Sequence, residues 1–177
     1  MRVLSIDPAL RNTGYAVIER VAPDPKIRNG KIEYRALAFD VIQNPKKLRP
    51  SGCLVRIREE LNDVIREFSP EVCAVEGVIY VQSYKTAITL GAARGSAILA
   101  AAEHGLEIFE YAPRRVKQAV VGRGAADKQQ VAFMMRALLN LTETPAHDAA
   151  DALAIGLAHF YENDPSRPAV LEKPTPI

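Results

Sequence analysis

The sequence predicts an α/β fold: a mixed five-stranded sheet, three strands in an antiparallel meander and two parallel, flanked by helices. Three observations predict it. Strand-like runs rich in Val, Ile and Tyr, broken by turn signals, fill residues 2–43. Apolar residues then recur at helical spacing over 51–68. Beyond that point short apolar runs alternate with helical stretches, the order that lays parallel strands beneath crossover helices.

Taken in order, "RVLSID" (2–7) is a mostly apolar strand stopped by Asp7-Pro8. "TGYAVIER" (13–20) is the second strand, entered through a turn at Asn12 to Gly14. After the turn-rich "VAPDPKIRNGK", the third strand is "KIEYRALAFDVIQ" (31–43). Leu54, Ile57, Leu61, Val64, Ile65 and Phe68 share one helical face, so a helix spans about Ser51 to Phe68. Ser51 is its expected N-cap and Ser69-Pro70 closes it. "EVCAVEG" (71–77) is a continuously apolar strand ending near Glu76, followed by the loop "VIYVQSY" and an alanine-rich helix from Lys85 to His104. "LEIFEYA" (106–112) is the fifth strand. Two shorter helices follow, Arg114 to Val121 and Asp127 to Leu139, and Pro145 precedes a last helix reaching about Glu162. Residues 1–163 form one domain. The remainder, 164–177, belongs to a stretch with four of the twelve prolines and is expected to be a flexible tail.

Composition bounds the function. The chain has 177 residues, 48% apolar and 25% charged, which describes one soluble globular domain large enough for a real core. A net charge of +2 gives no global basic field, so a nucleic-acid partner must be met by a local patch. Cys53 and Cys73 lie in apolar surroundings and read as a reduced pair. No leader pattern and no long apolar run occurs, so a cytoplasmic protein without a membrane span is expected.

The acids carry the chemistry. In "PAHDAADALAIG", Asp148 and Asp151 stand one turn apart on one helix face, with only small and apolar residues behind them. Asp7 and Glu76 fall at the ends of two strands that a right-handed crossover would set side by side. Sites in open α/β sheets gather at that carboxyl edge. Four carboxylates meeting there would offer hard oxygen ligands for Mg²⁺ or Mn²⁺. Each also has a plainer reading. Asp148 and Asp151 suit a helix start, Asp7 a turn, Glu76 an exposed strand end, and His147 a polar cap-side position. Singly, none decides.

Between Arg114 and Lys128 the chain places Arg114, Arg115, Lys117, Arg123 and Lys128 against the single acid Asp127. A solvated helix face would account for such a run, but its place just before the acid-bearing helix favours phosphate contact. Lys46, Lys47 and Arg49 form a smaller basic cluster with no assigned purpose. The glycines of "VVGRGAADK" lack the Lys-Ser/Thr ending of a phosphate-binding P-loop.

In order and spacing, "SIDPALRNTGYAVIE", "AVEGVIY…LGAARGSAILAAA", "FEYAPRRVKQAVVGRGAADKQQV" and "AHDAADALAIGLAH" resemble the four signature blocks of RuvC, the bacterial Holliday-junction resolvase family. The resemblance spans residues 1 to 162. It implies an RNase H-like fold and a metal-dependent endodeoxyribonuclease that cuts four-way DNA junctions symmetrically during recombination and repair. Asp7, Glu76, Asp148 and Asp151 match the family's catalytic, metal-binding acids, and Lys117 and Lys128 match basic residues near the scissile phosphate. Two Mg²⁺ ions per site are implied, about 3.5–4 Å apart in enzymes of this kind. So are a homodimer and the RuvA and RuvB branch-migration proteins as partners. Two positions depart from the pattern. Ala9 replaces the usual glycine of the first block, so the turn must form without glycine's freedom. After Glu76, the place of a junction-wedging aromatic is taken by Ile79, followed by Tyr80. Either the wedge has moved to Tyr80 or an aliphatic Ile79 serves.

Three other classes compete. A related nuclease for flaps or RNA–DNA hybrids would share fold and acids. An actin-like ATPase would share "IDPALRNTG" but needs two such domains. A non-catalytic junction-binding factor would not need all four acids.

Overall fold

A computed structural model describes residues 1–22, 32–78, 83–164 and 174–177. Its strands are β1 (Arg2–Asp7), β2 (Asn12–Val21), β3 (Glu33–Gln43), β4 (Val72–Glu76) and β5 (Glu107–Tyr111). Its helices are α1 (Pro50–Phe68), α2 (Tyr84–Glu103), α3 (Pro113–Val121), α4 (Lys128–Leu138) and α5 (His147–Glu162). The strand order across the sheet is β3-β2-β1-β4-β5. β1 is antiparallel to β2 and parallel to β4, and β4 is parallel to β5. The meander and the crossover that sets β1 beside β4 are those expected from the sequence. Because β2 is antiparallel to both neighbours, the carboxyl ends of β1, β3, β4 and β5 share one edge of the sheet.

The sheet is buried on both faces, which explains why β1 and β4 read as nearly unbroken apolar runs. On one face Leu4, Ile6, Val17, Cys73 and Val75 pack against α1 and α2. On the other, Val3, Ala16, Ile18, Val72 and Ala74 meet α3, α4 and α5. Helix α5 is buried from Ala149 to Phe160 apart from Asp151, and its small residues let it lie directly on β1 and β2. A side chain at Gly156 would come within 2.8 Å of the Ser5 hydroxyl and 2.9 Å of Ile18 Cδ1. Both cysteines are free and buried.

Some boundaries differ from expectation for local reasons. Ser51 is not the N-cap of α1. Proline is preorganised for the first helical position, so Pro50 starts the helix and Arg49 precedes it without a side-chain cap. The helix stops as expected, with Ser69 left-handed (φ 47°) and its N–H donating to Ile65. Most of the expected flexible tail, 165–173, lies outside the described residues. The last four residues lie along the outer edge of β5: Pro176 pairs with Phe109, and the Ile177 N–H donates to the Ile108 carbonyl at 2.9 Å. Among the described residues, no helix is long and apolar enough to cross a membrane.

Candidate active site

Asp7 is the last residue of β1 and sits opposite Gly14 of β2. That pairing decides where α5 begins. A Cβ at Gly14 would lie 2.0 Å from the Asp148 carbonyl oxygen, so the bare glycine lets the first turn of α5 rest on the sheet beside Asp7. Asp148 and Asp151 follow one turn apart, and one carboxylate oxygen each from Asp7, Asp148 and Asp151 lie within 4.8 Å of one another. Glu76 ends the adjacent strand β4 and is hydrogen-bonded to Asp7. All four acids predicted from the sequence therefore meet at one edge.

Their crowding shows in their acidity. Burial, with the Asp151 and Asp148 charges added, lifts Asp7 to about 6 against the opposing effects of Glu76 and Lys128. Burial and the charges of Asp7 and Asp151 lift Glu76 to about 8. The hydrogen-bonded pair Asp7–Glu76 thus gives up its protons later than ordinary carboxyls do. The compensating cation is Lys128, whose Nζ lies 3.2 Å from Asp151 Oδ2 and 3.5 Å from Asp148 Oδ1. Burial alone would lower its pKa, but Asp151, Asp148 and Asp7 together hold it above the ordinary lysine value.

The donor set fits a hard divalent cation. It is all carboxylate oxygen, contains no Cys or His, and already holds one positive group between two of its acids. Lys128 is the first residue of α4, a helix fixed by a full capping box. The Asp127 side chain accepts from the Gln130 N–H at 2.8 Å, and the Asp127 N–H donates to Gln130 Oε1 at 3.2 Å.

The other predicted basic residues divide. Arg114 and Lys117 lie on α3, and Arg123 is exposed in the turn after it. Arg115, also on α3, is half-buried. Its Nε donates to Glu162 Oε1 at 2.6 Å, tying α3 to the end of α5. Ile79 and Tyr80 lie outside the described residues. His147 is exposed at the first position of α5.

Two positioning residues were missed by sequence reasoning. Gly14 is one; a glycine inside a strand was its available signal. The other is Thr13, fully buried, whose hydroxyl donates to the Ala9 carbonyl at 2.6 Å and accepts from the Ala9 N–H at 3.3 Å. This clasp closes the turn after Asp7. Ala9 does not have positive φ, so it replaces glycine there without strain.

The chain resembles known proteins over nearly its whole length. The profile of the family described as "Crossover junction endodeoxyribonuclease RuvC" matches residues 3–159. A protein of that name from Akkermansia muciniphila is 51% identical over 173 residues, 98% of each chain. The Thermus thermophilus RuvC structure superposes with a TM-score of 0.77 at 34% identity, covering 92% of this chain and 95% of that one. The T. thermophilus RuvC in complex with Holliday junction substrate gives the same TM-score at 31% identity, covering 92% and 94%. A family match over residues 3–159 and 51% identity over nearly the whole length make the chain a member of the RuvC family of crossover junction endodeoxyribonucleases.

Proposed function

We propose that the chain resolves four-way DNA junctions by hydrolysing one phosphodiester in each of two symmetric strands, with Asp7, Glu76, Asp148 and Asp151 as its catalytic acids. The observation that carries this reading is the convergence of three carboxylates within 4.8 Å, with Glu76 bonded to one and Lys128 to the other two. The four acids would hold Mg²⁺, or Mn²⁺, two ions per site. Bound there, the cations supply Lewis acidity toward the phosphoryl oxygens and a water of lowered pKa.

The chain's own groups do the rest. Lys128, held at the edge by Asp148 and Asp151, would offset the charge that builds on the phosphate. Lys117, Arg114 and Arg123, on and just after the neighbouring helix, supply contacts to the DNA backbone. Ile79 and Tyr80 remain the candidates for opening the junction.

A junction with two symmetric cut strands calls for two sites, hence a homodimer. The support is an exposed face of α2: Tyr84 (82% exposed), Ile88 (69%) and Leu99 (49%), with Gly91 and Gly95 facing open space between them. This spacing of large and small residues suits close approach of a second helix. Partnership with RuvA and RuvB, and a cytoplasmic setting, rest on the family likeness alone.

The test is a mobile synthetic junction incubated with the purified protein, with and without Mg²⁺. Paired nicks at symmetric positions that need the metal are expected. Asp7→Asn should lower cleavage at least about 10³-fold while junction binding persists. A variant that cuts at the normal rate would remove Asp7 from the metal site.

A further inference from the structure

The basic cluster Lys46, Lys47 and Arg49 has no role in the mechanism above, yet the fold brings it to the same sheet edge. The segment lies between the carboxyl end of β3 and the start of α1. It is bound to the turn that follows Asp7. Arg11, in that turn, donates from Nη1 to the Pro45 and Leu48 carbonyls at 2.8 and 3.0 Å. Asn44 returns two bonds, from its backbone N–H to the Arg11 carbonyl at 2.7 Å and from Nδ2 to the Leu10 carbonyl at 2.9 Å. The Leu48 N–H closes a turn on the Pro45 carbonyl at 2.9 Å. The loop is therefore held rigidly to the turn after Asp7.

Its charge is unbalanced. Residues 44–58 contain five cations and no acid. Arg56 and Arg58 are neutralised by Glu60 and Glu103. Lys46, Lys47 and Arg49 are exposed, and none has an ion-pair partner among the described residues. The first turn of α1 adds to this, with no acid and no side-chain cap. Three like charges fixed together with nothing to offset them cost stability unless an anion meets them.

We infer that Lys46, Lys47 and Arg49 form a second backbone-binding site for the DNA substrate, at the β3 end of the sheet edge, whereas α3 begins at its β5 end. The inference rests on the proposed action on DNA and adds where a second stretch of phosphates is held. β3 lies two strand spacings from β1, about 10 Å. At 3.4 Å per nucleotide of one strand, the cluster would grip phosphates about three or more nucleotides from the cut. A junction arm would then be held on both flanks of the acidic edge, by this loop after β3 and by α3 after β5.

The test measures junction affinity against salt, in EDTA, so that no cleavage intervenes. Each phosphate contact contributes about 0.9 to the slope of log affinity against log salt. The triple variant Lys46→Ala, Lys47→Ala, Arg49→Ala should lower the slope by about 2–3. Arg66→Ala, in the last turn of α1, should leave it unchanged. Neutral methylphosphonates placed about three nucleotides or more from the cut should lower the slope of the parent protein and not of the triple variant. An unchanged slope in a triple variant with parental circular dichroism overturns the inference, even if the parent cuts junctions normally. A parent that binds with the expected slopes yet never cuts would sink the nuclease reading and leave this site standing. A parent with no salt-dependent affinity for DNA would end both.

Discussion

Two helix starts meet at the acid edge, and they obey opposite rules. Helix α5 opens with Asp148 in its first turn, where a negative charge is favoured by the helix macrodipole. Helix α4 opens with Lys128 at its first position, where a positive charge is disfavoured. Judged locally, Asp148 needs no further explanation and Lys128 does. The explanation is across the gap: Lys128 is held by Asp148 and Asp151 at ion-pair distance. The lesson is that a residue placed against its local preference is better evidence of a site than one placed with it.

The comparison is broken most severely by moving the start of α5. Gly14→Ala would put a methyl group 2.0 Å from the Asp148 carbonyl oxygen, a backbone atom that cannot swing aside, so the first turn of α5 must shift. A displacement of on the order of 1 Å at such a site costs about 10²-fold in rate, and overpacking costs about 1–3 kcal/mol. Cleavage at saturating junction and the unfolding midpoint in urea should both fall. Normal cleavage by this variant would mean that the position of Asp148 is not set by its seat on β2.

Next in size is removal of the odd cation. Lys128→Ala loses two partly exposed ion pairs, worth about 0–1 kcal/mol, and relieves a macrodipole conflict of about 0.3–1 kcal/mol. These nearly cancel, so the melting temperature should stay within about 2 °C. Cleavage should nonetheless fall about 10–10²-fold, if the ammonium meets charge developing on the phosphate. A large drop in stability with unaltered cleavage would make Lys128 a structural residue after all.

What was legible in the sequence follows the same division between local and distant causes. Asp7 and Glu76 were readable because each ends an apolar strand, and the crossover rule sets those strands together. The pair Asp148 and Asp151 was readable from spacing, but its arrival beside Asp7 depends on Gly14, a contact across more than a hundred residues that no periodicity encodes. The Arg115–Glu162 ion pair was not legible because counting charges along a segment carries no direction. Arg115 is one residue from exposed Arg114, about 100° further around the helix, and there it reaches Glu162. Ser51 was misjudged as a cap because its side chain suits one, while the neighbouring proline suits the first helical position better.

The acids can also be compared with themselves, with and without a cation, through pH. Asp7 and Glu76 have folded-state pKa values near 6 and 8, above the ordinary 3.8 and 4.5. Over that interval the folded protein keeps protons that the unfolded chain has released, so the unfolded state binds fewer protons and stability falls as pH rises. The loss begins near pH 4, where the unfolded carboxyls ionise, and levels off above about pH 8. Each unit of displacement amounts to about 1.4 kcal/mol, so the metal-free melting temperature should drop by about 5 °C or more between pH 5 and pH 8. Glu76→Gln, which cannot ionise, should flatten that decline. Saturating Mg²⁺ should raise the melting temperature more at pH 8 than at pH 5, because only ionised acids repel one another and bind the cation. A metal-free melting temperature that rises across this window would show that Lys128 alone balances the acids and that the edge has no need of a divalent ion.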